Sequence, residues 1–188
     1  MSRASHDDPA VHRETAGAPP ATALPPHSEH CLGCGPGNPA GLGLRVDRVG
    51  DTVVADVVFP PHHVGAPGLA HGGAVATACD DVLAFLLHVV GEPAVTRTLQ
   101  VDYLAPVVLG STYQITARLE RRDGRRVHLR ATGCDIAGVV CFEAHAVFVV
   151  VPLAHFERFG SPDFTRILAG PTAGPVPEAD ASESRVDP

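Results

Sequence analysis

One stretch of this sequence restricts the fold more than any other. From Ala74 to Val90 the chain is a nearly unbroken apolar run, interrupted by the adjacent acids Asp80 and Asp81. His71-Gly72-Gly73 precedes the run, and Gly91 and Pro93 follow it, which is the punctuation of a helix start and stop. Ala and Leu dominate the interior, and no polar stripe runs along one side. A helix apolar on nearly all sides must be enclosed by protein. The run falls short of the about 20 residues needed to span a bilayer, so no membrane partner is expected.

On both sides of this run the hydrophobic period is two. Leu42, Leu44 and Val46 alternate with Gly43, Arg45 and Asp47, and after a Gly50-Asp51 turn Val53, Ala55, Val57 and Phe59 alternate again. Pro60, Pro61 and Pro67 then force a loop. Beyond the helix, Leu99, Val101 and Tyr103 mark one strand and Tyr113, Ile115, Ala117 and Leu119 the next. Asp123-Gly124 is a hairpin signal, followed by Val127, Leu129 and Ala131 and by a last strand from Val140 to Val150. Two strands, one enclosed helix and four further strands predict an α+β fold, an antiparallel sheet wrapped around one long central helix.

The chain has 188 residues, 45% of them hydrophobic, enough for one domain with a real core. Residues 1–29 and 168–188 are rich in Ala, Pro and acid without apolar period and read as disordered tails around a domain at 30–167. The net charge of -7 gives no reason to expect nucleic acid as a partner. Met1 is followed by polar residues rather than a hydrophobic run, so a cytoplasmic protein with reduced thiols is expected.

The chemistry concentrates at the helix. Gly72 and Gly73 at its start let a substrate approach the backbone, and free N–H groups there favour a developing negative charge. A thioester carbonyl becoming a tetrahedral oxyanion is such a charge. Asp80 lies inside the apolar run, where a carboxylate is costly and is a candidate base or nucleophile. Asp80 and Asp81 point about 100° apart, so they cannot serve one site together. One of them is expected to be solvated or paired with Arg. Gly72 and Asp80 are eight positions apart, about 12 Å along a helix, too far to touch one carbon. Two antiparallel copies of the helix solve this by each lending its glycine end to the other's aspartate, which predicts a homodimer with two composite sites.

HGGAVATACD followed by TRTLQVDYLAPVVLG resembles the phenylacetyl-CoA-type branch of the hot-dog acyl-CoA thioesterases, over roughly Cys31 to Val151. The resemblance implies that the Gly72 N–H polarises the thioester carbonyl. It implies that Asp80 of the partner subunit activates water or attacks directly, with Thr96 as a hydroxyl beside that carboxylate. The substrate would be an acyl-CoA, the assembly a homodimer or a pair of such dimers, and no cofactor is expected. Family members often carry Asn or Gln in the loop before His-Gly-Gly, whereas Gly65 to Ala70 here has no amide side chain. His71 could touch substrate, with a role in pinning the loop favoured.

Cys31-Leu32-Gly33-Cys34-Gly35 opens the domain. One CxxC provides two of the four ligands a zinc site needs; His27, His30 or a second CxxC from a dimer partner could complete it. The preferred expectation is no metal and a tight turn with two small thiols. Cys79, Cys134 and Cys141 are expected in the core. Six arginines, from Arg118 to Arg130, cluster about Asp123-Gly124. Arg122 and Arg125 are candidates to hold CoA phosphates, weighed evenly against a charged, solvated hairpin tip. His62, His63 and His128 read as surface or loop residues. A non-catalytic acyl-CoA-binding module, a hot-dog hydratase or dehydratase, and a zinc-held interaction domain stand as alternatives to hydrolysis.

Overall fold

In the computed structural model, which describes residues 19–159, the period-two segments become strands whose apolar faces point the same way. Val53, Ala55, Val57 and Phe59 are buried, as are Tyr113, Ile115 and Ala117, and Val127, Leu129 and Ala131. The strands are β1 (Thr22–Ala23), β2 (Arg45–Val49), β3 (Thr52–Val58), β4 (Ala94–Tyr103), β5 (Thr112–Asp123), β6 (Arg126–Asp135) and β7 (Val140–Val150). They form one seven-stranded sheet in the order β1-β2-β3-β5-β6-β7-β4, with every neighbour antiparallel.

β3 pairs with β5, so β4 is displaced to the far edge. The link between β3 and β4 must therefore cross a face of the sheet, and the link is the apolar run. It forms α1 (Gly72–Phe85) and α2 (Leu87–Val90), parted by a break at Leu86 that no Gly or Pro announces. α1 touches every strand from β3 to β7. Gly72–Val90 is apolar and long enough by composition to cross a membrane, yet most of it is buried against this sheet. Gly91 closes α2 with φ 73°, a left-handed conformation that a side chain resists. Phe59, Phe85, Phe142 and Phe148 fill the space between helix and sheet, each worth about 1.5–3 kcal/mol of burial. A short helix, α3 (Ala154–Phe159), follows β7.

Two expectations change. Residues 19–29, assigned by composition to a tail, lie on the domain. β1 pairs with β2, Leu24 is buried and its N–H donates to the Val46 carbonyl at 2.9 Å. One buried leucine and a handful of backbone bonds leave no periodic trace, so composition alone misassigned the segment. Tyr103, expected to alternate inward, is half exposed because β4 is an edge strand with a register shift between Thr96 and Thr98. The expected C-terminal tail at 168–188, the domain's last residues 160–167 and positions 1–18 lie outside the described residues.

Candidate functional site

α1 begins at Gly72 because His71 caps it. The Gly73 N–H donates to His71 Nδ1 at 2.8 Å, and the His71 carbonyl accepts from the Ala74 N–H at 2.9 Å. The imidazole thus serves the helix end, and the Gly73 N–H is engaged with it. Gly72 is the first helical residue, so its N–H has no acceptor within the helix. The Tyr103 hydroxyl, which sequence reasoning did not single out, donates to the Gly72 carbonyl at 2.8 Å and ties the helix start to the end of β4.

A cavity of about 320 Å³ opens at this end of the helix. Leu42, His63, Val64, His71, Gly73 and Thr77 are among the residues that line it. His63 is fixed by a 3.0 Å contact from Nε2 to the Ala40 carbonyl, and Thr77 donates its hydroxyl to the Gly73 carbonyl at 2.9 Å. His62 also lines the cavity, so the loop that carries the His62-His63 pair, at the surface as expected, forms part of its wall.

Asp80 lies two turns further along α1 and does not line that cavity. It is partly buried, and the Thr96 hydroxyl on β4 donates to its Oδ1 at 3.0 Å. Burial raises the Asp80 carboxyl above the ordinary carboxylate value, while the Thr96 hydrogen bond and the charge of His27 pull it down. The sequence-predicted pair of Asp80 and Thr96 is therefore brought together. Gly72 and Asp80 are not brought together, being about 12 Å apart along one straight helix.

Cys79, next to Asp80, is fully buried, and burial pushes its thiol up to about 12. A thiol so held is inert at neutral pH. Cys141 is buried and Cys134 partly so, close to the expected core placement.

The arginines of the β5–β6 hairpin are used within the fold. Arg122 forms an ion pair with Glu92 and donates from Nε to the Gly124 carbonyl at 3.0 Å. Arg125 donates from Nε to the Val150 carbonyl at 2.9 Å. In register, Arg122 faces Val127, Val127 faces Phe148 and Phe148 faces Thr96. Three strand spacings, about 14 Å, separate Arg122 from Thr96, so the hairpin lies near the Asp80 end of α1 without contacting it. Both guanidiniums are on the exposed side of the hairpin, where an internal partner leaves other N–H donors free to meet solvent.

Asp81 departs from expectation most. It is 8% exposed, and its side-chain contacts are to an imidazole and a thiol rather than to arginine. His27 Nδ1 lies 3.1 Å from Asp81 Oδ1, and the Cys31 thiol donates to the same oxygen at 3.2 Å. Cys34 Sγ lies 3.8 Å from that oxygen and 3.4 Å from His27 Nδ1. Burial pulls the His27 imidazole down, but Asp81 and Cys31 outweigh it and raise it to about 9. The hydrogen bond between the two sulfurs lowers Cys31 and raises Cys34. The expectation of two thiols in a plain turn, with no metal ligands beyond them, thus gives way to a cluster of four groups. His30, the other histidine considered, is exposed and outside this cluster.

Gly33 explains how the cluster closes. A Cβ there would lie 2.2 Å from Asp81 Cγ, so only glycine lets the Cys31–Cys34 turn seat on the carboxylate.

Comparison with known proteins bears on the fold. Residues 67–142 match the family model of the thioesterase superfamily. A stretch of 94 residues is 34% identical to the acyl-coenzyme A thioesterase THEM4 of Xenopus laevis, covering 47% of this chain and 40% of that protein. The chain thus spans less than half the length of this curated relative. A solved thioesterase superfamily protein superposes with TM-score 0.62 at 27% identity, covering 64% of this chain and 60% of the other. The PaaI protein of E. coli, from the phenylacetic acid degradation operon, superposes with TM-score 0.55 at 16% identity over 59% of this chain and 81% of its own, a likeness of fold. Through the segment that carries α1, β4, β5 and β6 this chain is similar to the thioesterase superfamily, and its fold is the hot-dog fold.

Proposed function

We propose that the protein hydrolyses acyl-CoA thioesters to the free acid and CoA, in a homodimer whose two sites are each shared between subunits. The observation that carries the reading is the Asp80–Thr96 contact, a carboxylate within an apolar helix held by one hydroxyl at 3.0 Å. A base or nucleophile needs a fixed position and a value raised toward working pH, and burial supplies the latter. The curated relative's printed activity and the matching family support the same substrate class.

In this reading the thioester carbonyl of a bound acyl-CoA lies against the Gly72 N–H, where the helix dipole favours the oxyanion. Asp80 of the partner subunit approaches from the opposite side, and either deprotonates water or attacks the carbonyl carbon. The thiolate of CoA leaves and is protonated, and water completes the acid. Thr96 holds one carboxylate oxygen, so the other is free to act. β4, with no strand beyond it among the described residues and with Thr96, Arg97 and Thr98 exposed, is the edge along which the second copy would lie. Arg122 and Arg125, close to that edge, would meet the CoA phosphates with the N–H groups their internal partners leave open. The cavity walled by His63, Val64 and Thr77 would take part of the ligand at the Gly72 end.

The test is thiol release from a panel of acyl-CoAs, acetyl to palmitoyl with phenylacetyl and benzoyl, by wild type and Asp80→Asn. Release by wild type and a loss of about 100-fold or more in the variant is expected. Binding of acyl-CoA without release from any member would overturn hydrolysis.

A further inference from the structure

Asp81 and the three groups around it lie away from the Gly72 end and are unused by the chemistry above. His27, Cys31, Cys34 and Asp81 each direct one ligand-type atom to a common point, all within 4.8 Å of one another. We propose that they form a closed, tetrahedral site for one zinc-class divalent cation, which fastens the N-terminal segment to α1.

The distances fit a coordination shell. Ligands at about 2.0–2.3 Å from a tetrahedral zinc lie roughly 3.3–3.8 Å from each other. His27 Nδ1 to Cys34 Sγ is 3.4 Å and Cys34 Sγ to Asp81 Oδ1 is 3.8 Å. His27 Nδ1 and Cys31 Sγ approach Asp81 Oδ1 to 3.1 and 3.2 Å, where a hydrogen bond rather than a metal now sets the spacing. Two sulfurs, an imidazole nitrogen and one carboxylate oxygen make a donor set that favours zinc over magnesium or calcium.

A second observation points to a ligand. Asp81 Oδ2 is enclosed and has no hydrogen-bond partner, in a side chain that is 9% exposed. A buried carboxylate oxygen left without a donor is costly, and a cation against the carboxylate removes that cost. The surroundings also resemble the outer shell of a metal site. The His27 backbone N–H donates to Cys34 Sγ at 3.2 Å, as amides do to bound thiolates. The Cys31–Cys34 turn is held by Gly35 N–H to the Cys31 carbonyl at 3.0 Å and by Leu44 N–H to the Gly33 carbonyl at 2.9 Å. The His27 ring packs on Phe85 with centroids 4.1 Å apart, which fixes its orientation. With four protein ligands no position is left for water, so the site is structural. Binding would displace the thiol protons.

The full chain, purified under reducing conditions without chelator and loaded with zinc sulfate, is analysed by plasma mass spectrometry. About one zinc per chain is expected, with less than roughly a tenth in Cys34→Ser and Asp81→Asn. Cobalt(II) in place of zinc should give the visible bands of a tetrahedral site and a near-ultraviolet thiolate charge-transfer band, both lost in Cys34→Ser. If Cys34→Ser does not fold, His27→Gln, which alters a partly exposed ring, supplies the comparison. A folded wild type that takes up no zinc or cobalt overturns the site. So does a Cys31–Cys34 disulfide that persists in the reduced, zinc-treated protein.

Discussion

Asp80 and Asp81 share one peptide bond and have opposite surroundings. Asp80 faces β4, is partly open and has a single hydroxyl partner. Asp81 faces the N-terminal segment, is 8% exposed and is encircled by an imidazole and two thiols. The helix makes the division, because about 100° of rotation separates adjacent side chains. One carboxylate is left able to change partners during a reaction, and the other is locked into the fold. Burial raises both, so the direction of the shift does not tell them apart; the number and chemistry of their partners does.

The contrast is sharpest in the two Asn variants. Asp80→Asn should lower kcat by roughly 100- to 10,000-fold while the melting temperature stays near wild type. Asp81→Asn should do the reverse, leaving a charged or metal-binding cluster incomplete in a buried place. Its cost of about 3 kcal/mol corresponds to a drop of roughly 6–12 °C in Tm, read by calorimetry. Equal loss of activity and stability in both variants would break the division.

Subunit mixing asks whether Asp80 acts across the dimer. Gly72→Pro removes the N–H at a first-turn position that tolerates proline. Alone, it and Asp80→Asn should each be nearly inactive. Unfolded together and refolded at equal amounts, they should recover roughly a quarter of wild-type activity, since half the dimers carry one intact site of two. No recovery, with heterodimers present by native mass spectrometry, would put both groups in one chain's site. On the other side of the helix, Gly33→Ala should lower Tm by several degrees, because its Cβ would stand 2.2 Å from Asp81 Cγ. A variant with unchanged Tm would show that the turn is not seated on the carboxylate as described.

Legibility in the sequence followed the range of the contacts. The sheet, the enclosed helix and the hairpin at Asp123-Gly124 were readable because period and turn chemistry are local. The pairing of Thr96 with Asp80 followed from resemblance, and the structure gives it a distance. Of the Asp81 cluster, Cys31, Cys34 and His27 could be grouped from the sequence, but Asp81 could not, because it lies 54 residues from His27 and the two meet only when β1 docks on β2. A CxxC offers two ligands; nothing in its spacing says which distant histidine or acid will join. The role of Tyr103 at the helix start was hidden for the same reason, since its hydroxyl reaches Gly72 from 31 residues away.

The smallest effect concerns Thr96. Thr96→Val keeps the β-branched shape favoured in a strand and removes only the hydroxyl that donates to Asp80. Because that bond lowers the Asp80 carboxyl, its loss should raise it further. The fraction of ionised Asp80 then falls at a given pH, and the acid limb of the kcat profile moves to higher pH. At the plateau the loss should be modest, about tenfold, from a carboxylate that is less well aimed. Thr96→Ser, which restores the hydroxyl, should recover both the limb and the plateau. A Thr96→Val profile superimposable on wild type would mean that the hydroxyl does not position the carboxylate, and that the open side of the helix is held by packing alone.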